Sequence, residues 1–228
     1  MAKIAAIMPT FNQVRYITQA IDSVLPLVDR LIIVDDGSND GTREYLEGIQ
    51  CGEWDLVCMD KNGGTAEAIN AGYSILEEEE WVTWVSSDNV TQHTWREWIE
   101  EWLHVEDIGV VYTGFIRCNP QLKPMQSIFH PHEPEKLIST ENCYYGPSFV
   151  IARRVWDAVG GHRGRISHDY DHWLRVEEEC WRQGLRIKDV NEPGVLYRVH
   201  KERVTVTRRA EYDAPRWQQE ALQRRRQA

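Results

Sequence analysis

Three short apolar runs constrain this chain most, each stopped by polar residues and separated from the next by a helical pattern. Ile4 to Met8 is halted at Pro9 and followed by Thr10-Phe11-Asn12. Leu31-Ile32-Ile33-Val34 ends at Asp35-Asp36-Gly37, and Trp81 to Val85 ends at Ser86-Ser87-Asp88-Asn89. Between them Ile17, Ala20, Ile21, Val24 and Leu25 recur at helical spacing. Ser38 or Asp40 can cap a second helix through Tyr45 and Leu46. Ala66, Ile69, Tyr73 and Leu76 mark a third, which runs into Glu77 to Glu80 as a solvated acidic end. Leu56 to Met59 is a weaker strand, and Gly109 to Thr113 a further one. Strand–helix alternation of this kind builds βαβ units around a mostly parallel sheet covered on both faces. Ligands bind beyond the carboxyl ends of such strands, which is where the polar clusters fall.

The second half is less regular. Trp95, Trp98, Ile99, Trp102 and Leu103 share one helical face and read as core. Four prolines punctuate Asn119 to Lys136, a loop or hairpin region. Trp173, Val176, Cys180 and Trp181 mark a helix starting near His168-Asp169. The 228 residues, 42% hydrophobic, suffice for a sizeable core. No run approaches the ~20 apolar residues that span a bilayer, and the N-terminus lacks the apolar length and cleavage site of a signal peptide. The expectation is a soluble, cytoplasmic protein. The five cysteines are scattered and never spaced Cys-x-x-Cys, so they read as reduced thiols rather than a disulfide framework or zinc site. A net charge of −10 argues against a nucleic-acid-coating protein. The charge is uneven: nine basic against four acidic residues give Arg198 to Ala228 +5, leaving −15 elsewhere.

Several clusters can carry chemistry. Asp35-Asp36 either caps the following helix or accepts hydrogen bonds from a ribose or base. Ser87-Asp88-Asn89 is either a turn or a set of hard oxygen ligands, from Asp88 and Asn89, for Mg²⁺ or Mn²⁺ on a diphosphate. Asn62-Gly63-Gly64-Thr65 opens a helix with glycines, which lets backbone approach an anion; it is neither a Walker loop nor a dinucleotide fingerprint. His168-Asp169-Tyr170-Asp171-His172 offers a helix cap, a general base or metal ligands. His200, alone, reads as structural, and His130-Pro131-His132 is not a zinc motif. Tyr144-Tyr145 and Trp156 are candidates for stacking on a sugar.

The order of these blocks resembles the family 2 glycosyltransferases of the GT-A fold. The resemblance runs from Ile4 to about Thr205. It rests on Met8-Pro9-Thr10-Phe11-Asn12, Val34-Asp35-Asp36-Gly37-Ser38, Asn62-Gly63-Gly64 through Asn70-Ala71-Gly72, and Ser86-Ser87-Asp88-Asn89. Further blocks are Gly146-Pro147-Ser148, Val159-Gly160-Gly161, Asp169-Tyr170-Asp171-His172-Trp173-Leu174-Arg175 and Tyr197-Arg198-Val199-His200.

The resemblance implies an α/β fold: a Rossmann-like, mostly parallel central sheet flanked by helices, with a smaller mixed acceptor-side region. It implies one catalytic domain over 1–205, divided into a nucleotide-sugar half (1–114) and an acceptor half (115–205), with 206–228 as a basic tail. Pro9, Thr10, Asp36, Gly64, Asn70, Ser87 and Asp88 are then donor-binding, Asp36 through the base. Asp88 and His200 are metal ligands for Mn²⁺ or Mg²⁺, and Asp169 is the catalytic base. The implied reaction moves a sugar from a UDP-sugar to an acceptor hydroxyl with inversion. The acceptor stays open among a glycan, a lipid-linked sugar, a protein and a modified nucleic acid, and the tail is a candidate for peripheral contact with an anionic surface. A non-catalytic nucleotide-sugar-binding protein is the alternative; a sugar nucleotidyltransferase is disfavoured because no basic glycine-rich motif lies near the N-terminus. Two departures stand out. Ser86-Ser87-Asp88-Asn89 keeps one acidic group where many members have three. His168 occupies the place of the family's Glu before the base, and a protonated imidazole there would lower the basicity of Asp169.

Overall fold

The three apolar runs form adjacent parallel strands in a computed structural model of the chain, which describes residues 1–49, 52–140, 145–164, 168–201 and 214–227. They are β1 (Ile4–Thr10), β2 (Arg30–Asp35) and β4 (Trp81–Trp84), with β3 (Asp55–Cys58) outside β2. The helices between them are α1 (Ile17–Val24), α2 (Thr42–Ile49) and α3 (Thr65–Tyr73). Alternate residues of β1 and β2 enter two separate cores. Ile7, Ile32 and Val34 join the larger one with Ile69 of α3. Met8, Leu31 and Ile33 join the smaller with Ile17, Ile21 and Leu46 of α1 and α2. Burial on both faces is why these strands read as unbroken apolar runs.

The rest of the sheet comes from β5 (Val90–Thr91), β6 (Ile108–Cys118), β7 (Pro124–Ile128), β8 (Phe149–Ala152) and β9 (Arg186–Arg198). The order is β3-β2-β1-β4-β8-β6-β9-β5, with β7 paired to β6. β8 lies antiparallel between β4 and β6, and β9 runs parallel to β6. The carboxyl ends of β1, β2, β4, β6 and β9 therefore share one edge. The chain order reverses between β1 and β4, the kind of switch point where ligands bind.

Helices α4 (Trp95–Glu100), α5 (Pro134–Thr140), α6 (Arg153–Val159) and α7 (His168–Gln183) complete the layers, and α8 (Ala214–Gln227) packs on α7. Among the described residues no helix is long and apolar enough to cross a membrane.

Several expectations change. β1 does not stop at Pro9. Its ladder with β4 ends at Ile7, while Pro9 and Thr10 still pair with β2, so the missing N–H of Pro9 falls where β4 makes no demand. α3 ends at Tyr73, so Glu77 to Glu80 is no helix end; Glu79 is buried and accepts from Arg30 Nη1 at 3.2 Å. Trp181 is 75% exposed rather than on the buried face of α7. The expected tail includes a docked helix: Trp217 is buried against α7, and Arg224 pairs with Glu178 at 2.7 Å. Cys58, Cys118 and Cys180 are free thiols, the last pushed up to about 12 by burial; Cys51 and Cys143 lie outside the described residues.

Trp156 anchors the larger core: it is fully buried, stacked with Tyr73 at 5.5 Å and tilted against His172 at 4.8 Å. Trp156→Ala is expected to lower the unfolding free energy by ~3–5 kcal/mol through cavity formation. Urea titration measures this, and a midpoint equal to wild type would remove Trp156 from the core's main supports.

Candidate active site

The site is built from loops at the carboxyl edge, and each needs partners for backbone N–H groups that have left the ladder. The β1–α1 and β2–α2 loops satisfy one another. Asn12 N–H donates to Ser38 Oγ at 2.9 Å, Asn39 N–H to Asn12 Oδ1 at 2.9 Å, and Gln13 N–H to Thr42 Oγ1 at 2.9 Å. Asn12 sits at φ 55°, a conformation asparagine tolerates. Asp40 caps α2 by accepting the Thr42 N–H at 3.0 Å. Ser38, the other capping candidate, goes to Asn12.

Asp35 is fully buried and accepts from Ser38 N–H at 3.2 Å and Arg43 Nε at 2.8 Å. Asp36 closes the third loop. It accepts from Gly63 N–H at 2.7 Å, Gly64 N–H at 2.9 Å and Asn62 Nδ2 at 2.9 Å. Burial pushes the Asp36 carboxyl up, against the lowering effect of the two glycine N–H groups. Gly37 makes this approach possible: at φ +74°, a Cβ there would lie 2.7 Å from the Asn62 nitrogen. Pro9 and Thr10 are buried beside this lacework, and the Thr10 hydroxyl has no partner in the structure. Gly64 thus meets Asp36 directly.

β4 and β9 converge on a second cluster. Ser87 is buried, and Asp88 follows it. Asp88 Oδ2 lies 2.9 Å from His200 Nε2. Arg198 ties the two strand ends together: its N–H donates to Asn89 Oδ1 at 2.9 Å, its Nε to the Asp88 carbonyl at 2.7 Å, and its Nη2 to Gln19 at 2.8 Å. Its guanidinium lies 4.5 Å from the Tyr16 ring centroid. The Asn89 oxygen is therefore engaged within the protein rather than offered as a ligand.

The donor set fits a divalent cation. Asp88 and His200 are side by side, a carboxylate and an imidazole of the kinds that ligate Mn²⁺ or Mg²⁺. Among the described residues no group of three or more His, Cys, Asp or Glu is placed to hold a metal. The protein would give two donors and leave the remaining positions to phosphate oxygens and water, as Mg²⁺ sites on phosphates do.

The third cluster lies at the start of α7. Asp169 is half-buried and accepts from the Tyr170 N–H at 2.9 Å. Asp171, by contrast, is buried and held by Arg163 and Arg175, each through Nε at 3.0 Å. His168 Nδ1 is 2.9 Å from His162 Nδ1, and His162 stacks on His172 with centroids 4.0 Å apart. Trp84, at the end of β4, lies 5.9 Å from His168 and so joins the second cluster to the third. Burial pushes His162, His168 and His172 below the ordinary imidazole range. Burial therefore disfavours a positive charge on His168 beside Asp169.

Both ends of the Asn70 amide meet His162: Nδ2 donates to its carbonyl at 3.0 Å, and Oδ1 accepts its N–H at 2.8 Å. Tyr145 and Trp156 are core residues and unavailable for sugar stacking; Tyr144 lies outside the described residues. A cavity of about 380 Å³ bordered by Trp81, Leu103, Ile108 and Arg154 lies at the amino ends of β4 and β6, away from this edge. Sequence reasoning missed Arg198, Gln19, Tyr16 and His162. It also missed the Asp171–Arg175 pair, which i,i+4 spacing could have revealed.

Residues 5–160 match the family described as glycosyl transferase family 2. An uncharacterized glycosyltransferase of Rickettsia typhi is 25% identical over 90% of this chain and 66% of its own length. The chain spans about a third to two thirds of the length of the curated relatives it matches. Residues 1–349 of Staphylococcus aureus TarS, solved with UDP-GlcNAc, align with a TM-score of 0.74 at 18% identity, over 96% of this chain and 66% of that one. Glucosyl-3-phosphoglycerate synthase of Mycobacterium tuberculosis, solved with Mn²⁺, UDP and glucosyl-3-phosphoglycerate, aligns with a TM-score of 0.62 at 19% identity, over 87% of this chain and 73% of that one. The fold is the GT-A fold. The chain belongs to glycosyl transferase family 2.

The three imidazoles give the fold a pH dependence. On acidification the unfolded chain protonates its histidines near about 6.5 while the folded cluster resists, so stability present above that value falls below it. His172→Phe is expected to lose less stability between neutral and mildly acidic pH than wild type. Urea titrations at the two pH values test this, and equal losses would refute it.

Proposed function

We propose that this chain transfers a sugar from a nucleoside-diphosphate donor, a UDP-sugar, to an acceptor hydroxyl with inversion. The observation that carries the reading is the convergence at one sheet edge of the Asp36 loop, the Asp88–His200 pair and Asp169, around the β1–β4 switch point. UDP-GlcNAc in TarS, and UDP with Mn²⁺ in glucosyl-3-phosphoglycerate synthase, support the donor class.

Pro9, Thr10, Gly64 and Ser87 line the donor side, and Asp36 sets the Gly63-Gly64 turn against it. A cation seated on Asp88 and His200, Mn²⁺ or Mg²⁺, would neutralise charge growing on the departing diphosphate. Asp169 takes the proton of the acceptor hydroxyl. That oxygen then bonds to the anomeric carbon from the face opposite the diphosphate, the bond to the diphosphate oxygen breaks, and configuration inverts.

Asp169→Asn is expected to cut transfer by ~10²–10⁴-fold while UDP affinity holds, read by product formation from a UDP-sugar panel and by calorimetry. Wild-type transfer rates in this variant would remove Asp169 as the base. In Asp88→Ala, UDP affinity should become the same with Mn²⁺ and with EDTA. A Mn²⁺ enhancement as large as wild type would move the cation elsewhere. UDP binding without turnover by the wild-type protein would favour a nucleotide-sugar-binding role.

A further inference from the structure

We propose that Asn70 and His162 are positioning residues for Asp169. Asn70 holds the main chain of His162, and the His162 imidazole fixes His168 and with it the first turn of α7. The inference rests on the reading of Asp169 as the general base.

Asn70 lies on α3, whose first turn begins at the Gly63-Gly64 loop that Asp36 grips. Its amide makes a paired hydrogen bond with the main chain of a residue 92 positions away. The approach is close enough that a Cβ on Gly161 would stand 2.7 Å from Asn70 Oδ1. His162 then enters a closed space between Trp156, His168 and His172. Its Nδ1 shares one proton with His168 Nδ1 at 2.9 Å. Its Nε2 is buried without a partner. An orphaned buried N–H is rarer than an orphaned acceptor, so the proton belongs on Nδ1 and His162 is the donor. One tautomer and one ring orientation of His168 follow, directly before Asp169 in the chain. The donor-side helix, the end of β4 and the base-bearing helix thus meet in one buried imidazole cluster. A base displaced by an ångström can lose ~10²-fold in rate.

The test compares Asn70→Ala, His162→Phe and the double variant with wild type. Phe keeps the stack on His172 and removes only the bond to His168. Each single change should lower kcat by about 10–100-fold, with donor KM and UDP affinity unchanged; retained UDP binding also reports a folded donor site. The double variant should lose no more than the larger single loss, because both changes cut one link. A raised donor KM with kcat intact would make Asn70 a donor contact and overturn the proposal. So would an unchanged kcat in both single variants, or fully additive losses. If wild type transfers no sugar, the reading of Asp169 as base fails separately. The link is then still read by ¹⁵N NMR of His168. Its Nδ1 should be hydrogen-bonded in wild type and released in both single variants, and retention of that bond in Asn70→Ala would overturn it.

Discussion

Every loop of the site leaves the same edge of one sheet, and the backbone N–H groups of those loops have no neighbouring strand to accept them. The structure depends on side-chain oxygens filling that gap. Ser38, Thr42 and Asn12 hold the first two loops to each other, and Asp36 holds the third. Buried backbone groups left unpaired would cost about 1–3 kcal/mol each, so these contacts decide whether the edge is a fixed surface or a frayed one. The density of Asp, Asn, Ser and Thr after β2 follows from that demand, since short polar side chains accept from backbone two or three residues away or across a narrow gap.

The aspartates at these ends consequently divide by burial and partners into two groups. Asp35, Asp36 and Asp171 are buried and held by protein partners: Arg43 and Ser38 on Oδ2 of Asp35, the Asn62–Gly64 turn, and Arg163 with Arg175. Asp88 and Asp169 keep partial access to solvent, and each makes few protein contacts. A sequence motif does not distinguish the two classes, because both place Asp at a strand or helix end. Partner count and exposure do.

The same distinction explains what the sequence disclosed. β1, β2 and β4 were legible because burial on both faces makes a continuous apolar run, and a polar cluster marks its carboxyl end. Of the antiparallel part, β6 and the hairpin to β7 were partly legible, but the rest was not. β7 is an exposed edge strand with the composition Pro-Met-Gln-Ser-Ile and no alternation to read. β9 carries Pro193 inside its span, tolerated because the ladder to β6 shifts register between Thr113 and Gly114. α8 shows its buried stripe only once α7 is there to receive Trp217 and Ala221. Within the site, Asp88, Asp169, Arg198 and His200 all lie in blocks that the sequence marks out. The part Arg198 plays in joining strand ends 110 residues apart was not legible, because no local pattern records it.

Histidine at 168 illustrates how burial can reverse the expected effect of a substitution. Beside a general base, an imidazole in water would be partly protonated near neutral pH and would stabilise the carboxylate, making it a poorer proton acceptor. Here the ring is enclosed by Trp84, His162 and the start of α7, and desolvation outweighs the pull of Asp169 and Asp171 toward the charged form. The neutral ring then acts through geometry: its Nδ1 shares a hydrogen bond with His162 Nδ1 at 2.9 Å and holds its own position. A position that carries a carboxylate in the family pattern can therefore be occupied by a histidine without favouring a positive charge beside Asp169, provided the neighbours that keep it dry come with it. His162 and His172, stacked behind it, are those neighbours. The three histidines form one buried unit, His162 stacked on His172 and in hydrogen-bond contact with His168.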